Sequence, residues 1–153
     1  MRFTLPHDLS EFEIPDAWWV ESGAPGFAPS APAYAAEAGV VKLSEELTSQ
    51  SDKTIRSHYC PTQLVAALYV APPGPAAGVA AQSFAGSGPA FHQASMIGVL
   101  QAMRSGVQLR PIEVLRGVPG EARLVPRDGF HRFYASVALG FPMLPVAVFR
   151  YSA

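Results

Sequence analysis

An α+β fold is predicted here, a small mixed sheet with packed helices and an extended aromatic N-terminal arm, and three stretches carry that prediction. Val125 to Phe149 (VPRDGFHRFYASVALGFPMLPVAVF) reads as the end of a strand, a tight turn, a helix and a returning strand. Gln93 to Arg104 has apolar residues at helical spacing, followed by the strand-like LRPIEVL from Leu109 to Leu115. Met1 to Ala36 sets Phe3, Phe12, Trp18, Trp19, Phe27 and Tyr34 among five prolines. Prolines at that density prevent long helices, and rings at that density do not belong to a disordered tail. The domain division that follows is an N-terminal arm and linker over 1–60 and a core over 61–153.

Taken in order, the arm is expected to run extended and to pack its rings onto the core, with Asp16 to Val20 as a short helical turn. Val40 to Leu47 starts as a strand (VVKL), and Ser44 with Glu45 and Glu46 suits a helix start. Residues 48–57 are polar and read as an exposed loop. His58 and Cys60 supply too few ligands for a metal, and a lone cysteine rules out an intramolecular disulfide. Leu64 to Val70 (LVAALYV) is the first core strand. Gly74 to Pro89 is uncharged and rich in Gly, Ala and Pro, a length and composition found in lids and in disordered segments. It is not a Walker loop, since no Gly-Lys-Ser/Thr follows its glycines.

The helix Gln93–Arg104 puts Met96, Val99, Leu100 and Met103 on one core face, with Gly106 closing it. In LRPIEVL, Glu113 alternates with apolar residues and is expected on an exposed strand face. Arg116 to Glu121 is a turn, and Ala122 to Val125 pairs back as a hairpin strand leading to Asp128-Gly129. His131 to Leu139 follows as a helix with Phe130, Phe133, Tyr134, Val137 and Ala138 on its apolar side. Gly140 suits a left-handed C-cap, Pro142 stops the helix, and Pro145 to Phe149 returns as a buried strand.

Composition excludes several functions. A net charge of -1 with 15% charged residues gives no strongly basic surface for nucleic acid. The 49% hydrophobic content includes no run of membrane-spanning length, and the N-terminus lacks a signal pattern, so the expected compartment is the cytoplasm.

The chemistry sits at the start of the last helix. Its first turn leaves N–H groups without intrahelical partners, and the helix dipole adds partial positive charge there. His131 and Arg132 add cationic side chains, so the end suits phosphate; alternatively, Asp128 caps the turn and compensates them. Arg132 can hold phosphate oxygens bidentately. His131 can bind phosphate or move a proton, and Asp128 is expected to orient the turn and His131. Arg110 and Arg127 lie near the same end and add positive potential.

The block DGFHRFYASVALG followed by LPVAV resembles the signature of the ParB/sulfiredoxin superfamily (ParB-like nuclease domain family), in which a DG-x-HR or G-x-x-R segment opens a helix that cradles nucleotide phosphates. LRPIEVL resembles that family's PI-x-V strand, Gln93 to Arg104 resembles the preceding helix, and the likeness spans roughly Leu64 to Phe149. The arm segment FEIPDAWW is also similar to uncharacterised ParB-like proteins that carry DGFHRFYAS. Members include DNA-partitioning CTPases, a serine kinase and a sulfinic-acid reductase. The sequence departs from each. Phe130 stands where the reductase needs cysteine. Gly74 and Pro75 stand where an arginine often grips phosphate, and no acid follows the first core strand as the kinase requires. No helix-turn-helix follows before Ala153, so nucleic acid is not the expected partner.

The resemblance implies nucleotide or phosphate binding, with phosphoryl transfer or nucleotide hydrolysis at the DGFHR helix start. The implied residues are Gly129, His131, Arg132 and Arg110 for binding, with His131 and Asp128 catalytic. The implied cofactor is a nucleoside triphosphate with Mg²⁺, without a protein-built metal site. The alternative is a non-enzymatic module in which the pocket is degenerate and the aromatic arm mediates homo-oligomerisation or partner binding.

Overall fold

The computed structural model describes residues 1–29, 62–73 and 89–151. The expected strand and helix at Val40 to Leu47, the loop at 48–57, the His58–Cys60 cluster and residues 74–88 of the uncharged segment lie outside the described residues.

Over its described residues, 1–29, the arm is not extended. Arg2–Thr4 (β1) and Glu11–Glu13 (β2) pair antiparallel, with Phe3 opposite Phe12, and Asp16–Glu21 forms the helix α1. Burial drives this: Phe12 and Ile14 are 1% and 0% exposed and belong to the same hydrophobic cluster as the C-terminal elements. Phe12 packs edge-on against Tyr134 at 5.0 Å, and Phe3 lies 4.9 Å from Trp19. Arg104 donates from Nε to the Ser22 carbonyl at the end of α1 (3.0 Å), a cation at a helix C-terminus.

The central sheet has four strands: β3 (Thr62–Ala66), β4 (Ile112–Arg116), β5 (Val125–Asp128) and β6 (Met143–Arg150). Their order is β3-β6-β4-β5, with β4 and β6 parallel and the other two pairs antiparallel. The first core strand thus starts and ends earlier than its apolar run. Ala67–Tyr69 turns as a 3₁₀ helix, and Val70 makes an isolated bridge to Leu124. The strand read at Ala122 to Val125 lies instead at Val125–Asp128. Pro126 is tolerated there because β5 is an edge strand.

Two helices, α2 (Gln93–Arg104) and α3 (Phe130–Leu139), pack against each other. Ile112, Val114, Leu144 and Val146 are fully buried in the same cluster as Met96, Leu100 and Phe133 of these helices. Ile97 is also buried, whereas Val99 is only partly so, because α2 turns that edge toward a groove. α3 ends at Gly140, whose φ of 88° is the left-handed cap read from sequence. Among the described residues no helix is long and apolar enough to cross a membrane.

Glu113 overturns its expected exposure. It is 5% exposed, on the opposite sheet face from Ile112 and Val114, and level with Ala147 of β6. Arg127 donates from Nε to it at 3.0 Å and Arg110 from Nη2 at 3.3 Å, while Arg127 also covers the Phe149 ring at 4.6 Å. The alternation was right about the face. The two arginines cover what alternation alone leaves open.

Candidate functional site

Strand β5 delivers the chain to Gly129, the N-cap of α3, with φ 109°. That backbone is in the left-handed region, which glycine enters without strain. A second constraint acts at the same place. A Cβ on Gly129 would lie 3.1 Å from Arg132 Nη2, 3.2 Å from Arg132 Nε and 3.2 Å from Ile112 Cγ1. The missing side chain therefore lets the Arg132 guanidinium lie flat against the turn.

Among the described residues no side chain caps α3. Asp128, read as a cap orienting His131, is the last residue of β5 and accepts from Arg132 Nη2 at 3.3 Å. The first helical bond runs from the Phe133 N–H to the Gly129 carbonyl (2.9 Å), so the preceding amides of the turn have no intrahelical acceptor. Arg132 Nε is buried and has no hydrogen-bond partner among the described residues.

His131 is held from α2's side. The backbone N–H of His92 donates to His131 Nε2 at 3.0 Å, and His92 itself caps α2, its Nδ1 accepting from the Ser95 N–H at 3.4 Å. Phe91 and Phe130 stand 5.9 and 5.1 Å from the His131 ring. Burial lowers the His131 pKa below its usual value, and the nearby His92 lowers it further. A neutral imidazole that accepts at Nε2 carries its proton on Nδ1. Acting as a general base through Nε2 would require giving up the His92 bond. Sequence reasoning missed His92; a histidine directly before a helical run is a weak capping signal, and its backbone role has no signature.

Asp128, Gly129, Phe130, His131 and Arg132 line one side of an open groove of about 550 Å³, and Ala94, Ser95, Gly98, Val99 and Leu109 line the other. The structure thus brings Asp128, Gly129, His131 and Arg132 together. Arg110 does not line this groove; its guanidinium is tied to buried Glu113, and Arg127 shares that carboxylate. Among the described residues no three His, Cys, Asp or Glu side chains converge as a metal site.

Tyr134, one turn into α3, is buried and donates from its hydroxyl to the Pro73 carbonyl at 3.1 Å. Burial pushes its pKa up to about 12, so it stays a neutral donor that fixes α3. No protein-family model matches this chain, and no curated protein matches it.

Proposed function

We propose that the groove binds a phosphate-bearing small molecule, a nucleotide in the first instance, with the anion at the start of α3. The observation that carries this is Arg132. Its guanidinium lines the groove beside the start of α3, and among the described residues it has one long ion pair, to Asp128, while its Nε has no partner and no side chain caps the helix. An arriving phosphate gains the guanidinium, the turn's backbone amides and the helix dipole together. The resemblance of DGFHRFYASVALG to ParB/sulfiredoxin-like proteins supports the same reading and makes that family the proposed one.

Among the described residues Asp128 is the one carboxylate in the groove wall. That is enough for Mg²⁺ arriving on a nucleotide, since this ion takes one or two carboxylates with substrate phosphates and waters. Chemistry, if the protein turns its ligand over, is then phosphoryl transfer or hydrolysis, which depends mainly on positioning and charge neutralisation. His131 would contribute by its Nδ1 proton. The aromatic-arm alternative has less to work with, because Phe3, Phe12, Trp18, Trp19 and Phe27 pack against or within the core.

Thermal shift with ATP, CTP, GTP and inorganic phosphate, with and without Mg²⁺, tests the proposal. A ligand at about a hundred times its dissociation constant stabilises by about 2.7 kcal/mol. Arg132→Ala is expected to weaken binding by about ten- to a hundredfold, the loss of one charge-assisted contact. An undiminished shift in Arg132→Ala removes the site from this helix.

A further inference from the structure

The central sheet carries a second cationic feature, at the end of β4 away from the groove. Asp128 lies opposite Glu113 near the start of β4, whereas Arg116 is the last residue of that strand. Arg116 pairs in register with Arg150, the last residue of β6. The two strands are parallel neighbours, so these side chains leave the sheet on the same face from backbones about 4.8 Å apart. Like charges set directly opposite one another across a sheet repel.

No carboxylate among the described residues offsets that repulsion. The arginine ion pairs there belong to Arg110, Arg123, Arg127 and Arg132, and none reaches Arg116 or Arg150. Glu113, three residues earlier on β4, is already shared by Arg110 and Arg127. Arg116 and Arg150 are both exposed, and together they line a pocket of about 220 Å³ whose other walls are the uncharged Val148 and Phe149. The backbone beneath them is fixed, because the Tyr151 N–H donates to the Arg116 carbonyl at 2.8 Å. At about 30 Å³ per water the pocket has room for roughly seven waters, which suits a compact anion and is too little for a nucleotide.

We propose that Arg116 and Arg150 form a second anion site, which takes a compact dianion: the phosphate of a small phosphomonoester or a short dicarboxylate. A monoanion leaves one of the two charges uncompensated, whereas a dianion neutralises both. The planar guanidinium fork matches phosphate and carboxylate oxygens alike. This site does not depend on the phosphate reading of Arg132, which lies at the other end of the sheet.

The test is calorimetric titration at low salt with methyl phosphate, succinate and, as the monoanionic control, acetate. It is run on Arg132→Ala, which silences the groove, and on the same chain with Arg116→Gln or Arg150→Gln added. The expected result is that a dianion binds Arg132→Ala one to one, about tenfold or more tighter than acetate. Each glutamine then weakens it by about tenfold or more, the loss of one charge-assisted contact. Arg150→Glu, which puts a carboxylate opposite Arg116, is expected to abolish binding and raise the thermal midpoint. Binding of methyl phosphate alone identifies a phosphomonoester, and binding of succinate alone a dicarboxylate. If the glutamine variants do not fold by circular dichroism, the wild-type Nε–H resonances of Arg116 and Arg150 decide, and they must shift saturably with the dianion. Dianions that bind Arg132→Ala no tighter than acetate, or that bind the glutamine variants undiminished, overturn this site and leave the groove reading standing.

Discussion

At His131 burial and hydrogen bonding act in the same direction, both favouring the neutral ring. Its folded pKa lies below the ordinary value of about 6.5, so between the two the unfolded chain binds more protons. Stability therefore rises with pH in that window. The contribution is fully present above about 6.5 and is lost as pH falls through the folded value. Urea midpoints for the wild type should drop between about pH 7.5 and pH 5, and His131→Gln, which cannot titrate, should drop less. Parallel pH profiles would mean that protonating His131 costs the fold nothing. At this scale Gly129, His131 and Arg132 were legible, because a glycine turn, a helix start and its first side chains are local in sequence. Glu113 was legible only as to its face. Its burial depends on Arg110 and Arg127, and the latter is fourteen residues away on β5. His92 was not legible, since its backbone N–H reaches a side chain 39 residues away.

Helix α2 was read with its observed bounds, and α3 to within one residue, because apolar spacing and glycine closures define both locally. Strands were displaced by up to four residues at an end, the first core strand read to Val70 stopping at Ala66. Ala67–Tyr69 has strand-like composition but turns as a 3₁₀ segment, and the strand read at Ala122 to Val125 lies at Val125–Asp128, carrying Pro126 on the sheet edge. Two glycines give opposite predictions for the helices. Gly98→Ala should stabilise by roughly 0.5–1 kcal/mol, because α2 gains propensity and no contact is broken. Gly140→Ala should destabilise by about 1 kcal/mol, because its left-handed φ of 88° strains an L side chain. Denaturant unfolding of both variants gives the signs directly. A destabilising Gly98→Ala would mean that α2 needs its glycine for packing.

Across the whole molecule, the arm and the C-terminal elements share one core. Leu5, Phe12, Ile14 and Ala24 lie in the same cluster as Met96, Leu100, Phe133 and Tyr134. Nothing in an aromatic, proline-rich segment specifies a hairpin. Its form comes from the surface it covers, which is why composition alone suggested an extended strand of chain. Phe12→Ala should cost about 3–5 kcal/mol, with one cooperative transition followed by both far-ultraviolet circular dichroism and tryptophan fluorescence. Two separated transitions would make the arm an independent unit. Packing the arm beside Tyr134 and Phe91 also steadies the aromatic surroundings of His131, so the outer element supports the groove at its α3 end.

The central claim is that an anion binds the amides and guanidinium at the start of α3. A ¹H–¹⁵N correlation spectrum followed during titration with phosphate, then with a Mg²⁺-nucleotide, tests it residue by residue. Saturable shifts are expected at the backbone amides of Gly129 to Phe133 and at the Arg132 Nε–H, with the nucleotide adding shifts at Gly98 and Val99. Shifts that never saturate, or that saturate elsewhere on the molecule while Gly129 to Phe133 stay fixed, would contradict it.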